Sequence, residues 1–280
     1  DMALLAVLGH PISHSASPVM HNAALRALNL PNRYIAIEVR PEKFQSTLKS
    51  LHNLGFKGLN ITIPHKEAAA MCASRLSEEA EAVRAVNTLV RLQEGWAGYN
   101  TDVAGVEKSL SPHVDGRPGA ALILGAGGSA AAALYALWRM GVSVVIIANR
   151  SRWRAEELAR RLEEKLGLRV EVVGLEDAGV KARQVDIIIN ATPLGLTYHE
   201  SPIAPQDLTK NHVILDMVYS TGPTPLQRAA ETSGSTYIDG VNMLVEQGVE
   251  AFRIFHGVEP EKKVMERAVR EWLAKRGGLK

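Results

Sequence analysis

Residues 119–138 read GAALILGAGGSAAAALYALW, twenty positions without a charged side chain. That length would span a bilayer. Yet Gly125, Gly127 and Gly128 stand near its middle, where a membrane helix without partners would not carry them. A different partition fits every residue. Ala121–Leu124 is a short aliphatic run, Gly125-Ala126-Gly127-Gly128-Ser129-Ala130 matches G-x-G-x-x-A, and an alanine-rich helix near Ser129–Arg139 follows. Glycines there permit a tight turn and let backbone N–H groups approach a pyrophosphate, while the helix N-terminus offers unpaired donors and a positive dipole end. Ala130 allows close packing on the sheet. Central strands of parallel sheets are buried on both faces and read as unbroken apolar segments, which accounts for the missing charges.

Outward from this turn, strand and helix patterns alternate through the chain, the mark of βαβ units and an α/β class. Further strands are expected at Ser143–Ala148, Val170–Val173, Val185–Asn190, Val213–Met217 and Thr236–Asp239, with helices near Ser151–Lys165 and Thr224–Ser233. Together they form a doubly wound parallel Rossmann-type sheet of about six strands. Before it, strands are expected at Leu4–Gly9, Tyr34–Val39 and Gly58–Ile63, helices near Ser17–Asn29 and Glu42–Leu54, and a hairpin of Asn87–Leu92 with Trp96–Tyr99. A helix from Asp102 to about Leu110 runs into the turn-rich residues 111–119, which end one unit and introduce another. Two amphipathic helices, about Gly240–Phe255 and Pro260–Lys275, close the chain, the second opened by its proline.

A length of 280 residues exceeds one ordinary core, so two domains are expected. Thirty-two Lys and Arg balance 30 Asp and Glu along both halves, and no segment looks built for nucleic acid. One cysteine, Cys72, forms no internal disulfide and no cysteine-based zinc site, which suits a reducing compartment. The apolar Ala3–Leu8 lacks a cationic leader and cleavage site, so no signal peptide or membrane partner is expected and the cytoplasm is the expected location.

NAD-binding sheets carry an acidic residue about 20 positions beyond the glycines to bind the ribose 2′-hydroxyl. Here the second strand ends in Ala148-Asn149-Arg150-Ser151-Arg152-Trp153-Arg154, with three arginines and no acid. Guanidinium groups bind a 2′-phosphate that a carboxylate would repel, so NADP is the expected cofactor and Arg150, at the strand end, its main reader. A nicotinamide enzyme must also hold a substrate and move a proton. The first hundred residues supply polar clusters at strand ends: Ser13-His14-Ser15-Ala16-Ser17-Pro18, Asn60-Ile61-Thr62-Ile63-Pro64-His65-Lys66, Ala85-Val86-Asn87-Thr88 and Asn100-Thr101-Asp102.

With these motifs, preceded by Gly9-His10-Pro11-Ile12 and joined by His21-Asn22, the chain resembles the shikimate dehydrogenase family over nearly its whole length. Asn149-Arg150, Asn190-Ala191-Thr192, Asp216-Met217-Val218-Tyr219, Gly240, Met243-Leu244 and Gln247 extend the resemblance. It implies NADPH-dependent, reversible reduction of 3-dehydroshikimate to shikimate in the chorismate route to aromatic amino acids. It also implies that the last helices return to the first domain: 1–102 plus 238–280 as a substrate-binding catalytic domain and 103–237 as the NADP domain. Lys66 and Asp102 are implied as the catalytic pair. Ser15, Ser17, Thr62, Asn87, Tyr219 and Gln247 are implied as substrate partners. Cofactor contacts are implied at Gly125, Ala126, Gly127, Gly128, Ser129, Ala130, Asn149, Arg150, Ser151, Arg154, Asn190, Ala191, Thr192, Met217, Val218, Gly240 and Met243. The expected partner is thus a small molecule, with the chain a monomer or homodimer.

Plain chemistry agrees on the pair, since a carbonyl becoming an alkoxide needs a cationic donor, and an ammonium beside a carboxylate can supply charge and a proton. Taken singly, Lys66 would pass as a surface lysine at a helix start and Asp102 as a helix cap. His14 and His65 suit loop orientation better than proton transfer. Trp138, Trp153 and Trp272 suit helix packing. The chain departs from the family's pattern at Pro193, where serine is usual, at Asn242 and Gly248, and at Phe255-His256-Gly257, where an aromatic such as tryptophan is common. The rivals are a quinate/shikimate dehydrogenase using NAD, disfavoured by the arginines; a silent nicotinamide-binding regulator, which would need no Lys66–Asp102 pair; and a structural or interaction module, disfavoured by the polar strand ends.

Overall fold

A computed structural model describes residues 2–116, 119–193 and 201–277. The chain divides into two compact units, Asp1–Thr101 with Val245–Lys280, and Asp102–Leu244. In the first unit, strands β1 (Leu4–Gly9), β2 (Arg33–Glu38), β3 (Gly58–Ile61), β4 (Arg75–Leu76), β5 (Thr88–Arg91) and β6 (Trp96–Tyr99) form one sheet in the order β2-β1-β3-β5-β6-β4. Only β5 runs antiparallel, to both β3 and β6. The carboxyl ends of β1, β3 and β6 and the start of β5 therefore lie at the same edge.

In the second unit, β7 (Ala120–Leu124), β8 (Val144–Ala148), β9 (Arg169–Val173), β10 (Ile187–Asn190), β11 (Val213–Asp216) and β12 (Thr236–Ile238) form an all-parallel sheet in the order β9-β8-β7-β10-β11-β12. This is the 3-2-1-4-5-6 order of the Rossmann fold, with its switch point between β7 and β10. Residues 119–138 resolve into the buried β7, the glycine turn and helix Gly128–Arg139, in which every residue from Ala130 to Leu137 is buried. Among the described residues no helix is long and apolar enough to cross a membrane.

Local chemistry sets the boundaries. Helix Pro225–Ser233 starts where the Thr224 hydroxyl accepts from the Gln227 N–H, with proline in its first turn, and stops at the left-handed Gly234. β3 ends at Ile61, two residues early, because Thr62–His65 turn back, with the His65 N–H on the Thr62 carbonyl at 2.9 Å. The last helix, Lys262–Gly277, begins two residues after Pro260, so that proline precedes the first turn instead of occupying it. The short elements that were not expected include β4, helix Glu78–Val83 and helix Ala178–Ala182. The edge strand β2 is protected by Asn22, whose amide accepts from the Tyr34 N–H at 3.0 Å and donates to the Tyr34 carbonyl at 2.7 Å.

Beside it His21 is 1% exposed, stacked on Tyr34 at 4.3 Å, and among the described residues its Nδ1 has no hydrogen-bond partner. Burial first, and then the charge of His256, push its pKa down to about 3. The unfolded chain takes up this proton near the usual value of 6.5 and the folded one does not. The stability it contributes is whole above that value and drains away as pH falls toward about 3, roughly 1.4 kcal/mol per pH unit at most. His21→Phe, which keeps the stacking, is expected to flatten the fall in melting temperature between neutral and mildly acid pH. An unchanged slope would contradict this.

Candidate active site

Both sheets present their polar residues at the carboxyl ends of parallel strands, the edge where open α/β sheets take ligands. In the first unit, β1 and β3 end side by side, so close that a Cβ on Gly9 would lie 2.5 Å from the Thr62 Cγ2. After β1 the chain turns through Ser15, half-buried, whose hydroxyl accepts from the N–H of the buried Ser17 at 3.3 Å. After β3 comes Lys66, half-buried, the first residue of helix Lys66–Cys72. Its carbonyl accepts from the Val86 N–H at 2.9 Å, which ties it to the start of β5. Asn60 joins the same two strands, its amide donating to the Asn87 carbonyl at 3.1 Å and to the Thr88 hydroxyl at 3.0 Å.

Asn87 is 3% exposed and holds Thr101 from two sides. Its Oδ1 accepts from the Thr101 N–H at 2.7 Å and its Nδ2 donates to the Thr101 hydroxyl at 2.9 Å. Thr101 in turn donates to the Gln247 Oε1 at 3.4 Å. Asp102, the next residue, is 6% exposed and lies in the first turn of helix Thr101–Leu110. Ser15, Ser17, Thr62, Lys66, Asn87 and Gln247 belong to the first unit, while Asp102 and Tyr219 belong to the second. His65 is buried, stacked on Phe44 and bonded through Nε2 to the Val39 carbonyl, and burial lowers its pKa. It holds a loop. His14 is exposed.

In the second unit Gly125 has φ +114°, and a Cβ on it would meet the Ala191 carbonyl oxygen at 2.9 Å, so only glycine fits where β7 meets the end of β10. Nothing lies within 4 Å of a Cβ on Gly127. Helix Gly128–Arg139 starts there with no side-chain cap and no acid in its first turn, leaving N–H donors for an anion. Ser129 and Ala130 follow in that turn. At the end of β8, Asn149 donates to the Ser151 carbonyl at 2.9 Å and fixes the turn into helix Arg152–Leu166, whose first turn also lacks an acid. Arg150, Arg152 and Arg154 are exposed. These features fit a dinucleotide carrying an additional phosphate.

The ends of β10 and β11 are joined through Asp216. This carboxylate is 0% exposed and accepts from Asn190 Nδ2 at 3.0 Å, the Val218 N–H at 3.3 Å, the Tyr237 hydroxyl at 2.9 Å and the Thr224 hydroxyl at 3.3 Å. Burial pushes its pKa up to about 6, against the pull of those four donors. A folded pKa above the usual 3.8 means the charged form costs stability at neutral pH, on the order of 3 kcal/mol, and the cost is relieved as pH falls through about 6. Asn190 also accepts, through Oδ1, from the Thr192 N–H at 3.1 Å and hydroxyl at 2.6 Å. Met217 follows β11 and bonds through its N–H to the Asn190 carbonyl at 3.0 Å. A Cβ on Gly240 would overlap the Val218 carbonyl, so these segments pass in contact. Met243 is buried one turn on. Ala191 and Thr192 are half-buried at their turn, and residues 194–200 lie outside the described residues.

Known proteins match the chain along its length. A model of the shikimate dehydrogenase substrate binding domain covers residues 7–89, one of shikimate / quinate 5-dehydrogenase covers 112–213, and one of the shikimate 5′-dehydrogenase C-terminal domain covers 240–270. A Methanopyrus kandleri shikimate dehydrogenase (NADP(+)) is 39% identical over 278 residues, 96% of each chain. The chain belongs to the shikimate dehydrogenase family. A shikimate dehydrogenase solved with NADP+ superposes with a TM-score of 0.91 at 34% identity, covering 98% of this chain and 96% of that one. One from Thermus thermophilus, solved with NADP(H) and shikimate, gives 0.86 at 36% identity over 96% and 99%. A quinate dehydrogenase from Corynebacterium glutamicum with NAD gives 0.87 at 31% identity over 96% and 99%, so the backbone is shared across that activity too.

Local contacts account for three of the positions at which this chain departs from the shikimate dehydrogenase pattern, Gly248, Phe255 and Asn242, and nothing in the structure explains Pro193. A Cβ on Gly248 would overlap Met20, so its absence lets helix Ser17–Ala27 reach helix Gly240–His256. A Cβ on Gly58 would overlap the Phe255 ring, so the ring packs against bare backbone there. Asn242 accepts from the Ser109 hydroxyl at 2.9 Å. Trp138 packs on Tyr135 at 5.3 Å and Trp272 under Arg276 at 4.4 Å, as expected of helix packing. Trp153 does not: it is 63% exposed, with the Arg154 guanidinium 5.4 Å from its ring.

Proposed function

We propose that this chain catalyses the reversible, NADPH-dependent reduction of 3-dehydroshikimate to shikimate, on the chorismate route to aromatic amino acids. Full-length likeness to NADP-dependent enzymes of that name carries the proposal. When bound, NADPH supplies the hydride. Gly125, Ala126, Gly127, Gly128, Ser129 and Ala130 receive its pyrophosphate on backbone donors, and Arg150, with Arg154, Asn149 and Ser151, receives its 2′-phosphate. Asn190, Ala191, Thr192, Met217, Val218, Gly240 and Met243 line the rest of its site.

Ser15, Ser17, Thr62, Asn87, Tyr219 and Gln247 orient the substrate by its hydroxyls and carboxylate. Lys66 Nζ donates a proton to the carbonyl oxygen as the carbonyl carbon gains hydride and its electron pair, giving a secondary alcohol. In the oxidative direction the same amine takes that proton back. The Asp102 carboxylate stabilises the ammonium before the proton is given up and after it is returned. The quinate reading shares this backbone, but residues 149–154 after β8 hold no acid to bind a ribose hydroxyl, and Arg150 stands in its place. Even charge and a single cysteine support a cytoplasmic enzyme without nucleic-acid partners, and we propose a monomer or homodimer. Incubation of the purified protein with 3-dehydroshikimate and NADPH tests the proposal: shikimate should accumulate in step with cofactor oxidation, and cofactor consumption without shikimate would overturn it.

A further inference from the structure

We propose that Asp216 is a positioning residue: through the amide of Asn190 it orients the Ala191–Thr192 turn that forms one wall of the glycine-rich cofactor site. The inference rests on the NADPH reading for its consequence, though not for its geometry. A carboxylate only accepts hydrogen bonds, whereas a primary amide has a donating and an accepting end. Asp216 therefore dictates that Asn190 turn its NH2 inward, at 3.0 Å, and its oxygen outward. The outward oxygen is what the Thr192 N–H and hydroxyl bind. That turn meets the glycine turn directly, with the Ala191 carbonyl oxygen at 2.9 Å and Thr192 Cγ2 at 3.1 Å from where a Gly125 Cβ would stand.

The two remaining donors, Tyr237 and Thr224, occupy the other carboxylate oxygen and leave the one facing Asn190 and Val218 undisturbed. A fully buried carboxylate that costs stability at neutral pH is poor structural glue, since an amide of the same shape would pair with both hydroxyls at no charge penalty. What the amide would weaken is the command over direction: the Val218 N–H still favours an oxygen facing Asn190, but an amide oxygen accepts less strongly than a carboxylate, and the NH2 can take its place at the cost of the Val218 bond. Buried polar groups that work against stability are commonly kept for the geometry they impose on a site.

The test uses Asp216→Asn, Asn190→Ser and the double variant, with NADPH dissociation constant, melting temperature, shikimate KM and amide exchange of the ligand-free protein as readouts. For Asp216→Asn we expect an NADPH dissociation constant raised about tenfold, a melting temperature equal to or above wild type, and an unchanged shikimate KM. Exchange at the Thr192 amide should quicken without cofactor. Asn190→Ser, which also removes the amide oxygen that Thr192 binds, should lose at least as much, and the double variant should lose no more than Asn190→Ser alone, because Asp216 acts through that amide.

Unchanged NADPH affinity and unchanged Thr192 exchange in Asp216→Asn would overturn the proposal, as would additive losses in the double variant. A fall in melting temperature with equal losses in every kinetic constant would reduce Asp216 to a structural role. Should Asp216→Asn not fold, Asn190→Ser alone decides: wild-type exchange at Thr192 would overturn it. Failure of the wild-type protein to bind NADPH or oxidise shikimate is a separate result that bears on the proposed function, since the exchange readout needs neither ligand.

Discussion

Lys66→Ala is expected to lower the turnover number by at least about a hundredfold, the usual contribution of a positioned acid–base group, with the KM values for shikimate and NADP within a few-fold of wild type. The reason lies in how the residue is held. Lys66 opens helix Lys66–Cys72, where the dipole mildly disfavours a cation, and its carbonyl is anchored by the Val86 N–H from the neighbouring strand start. Both neighbouring motifs are themselves cross-linked through Asn60 and Asn87, so the backbone below the ammonium has little freedom. Removal of the side chain leaves that scaffold and the substrate's other partners in place, which is why binding should survive. A loss below about tenfold in turnover, or an equal rise in shikimate KM, would remove Lys66 from the chemistry.

Arg150→Ala is expected to raise the KM for NADPH by about tenfold or more while leaving that for NADH nearly unchanged. Arg150 is exposed at the end of β8, and among the described residues no acid occupies the first turn of the helix that follows. Its guanidinium has no competing ion-pair partner among the described residues, so it can serve the additional phosphate. Since NADH lacks that phosphate, the interaction lost with the side chain is one NADH never makes. Equal effects on the two cofactors would show that Arg150 serves the common part of the dinucleotide or the fold alone.

Much of this architecture was legible in the sequence where local chemistry and tertiary need coincide. The turn at Gly125 is readable because a left-handed φ, a close carbonyl and an open approach to backbone donors all demand the same residue. The arginines after β8 are readable for a similar reason: an acid and a base at that position favour different cofactors. Elements that rest on few residues were less legible. Helix Glu78–Val83 follows a proper cap at Ser77 and an acidic first turn, signals that were present, but its six residues carry too little periodicity to stand out. The two-residue β4 exists only because β6 is there to pair with it. Trp153 matched a packing residue in the helix pattern, and its exposure follows from which face of that helix the sheet covers.

The least legible feature is the Asp216 network. Asp216 and Asn190 sit at strand ends that the sequence marks plainly, but their contact spans 26 positions and needs β10 and β11 to be neighbours in register. Tyr237 and Thr224 join from two further segments. The reverse case is Gly248 and Phe255, which look like departures from the family along the chain and become ordinary once Met20 and Gly58 are seen to face them.

Initial rates of the purified protein with shikimate or quinate, each against NADP or NAD, test the central claim most directly. Shikimate with NADP should have the highest kcat/KM, exceeding each alternative by at least about tenfold, if Arg150 selects the phosphate and the polar strand ends of the first unit select the hydroxyl pattern as proposed. A higher kcat/KM for quinate with NAD, or no turnover in any of the four combinations, would contradict it.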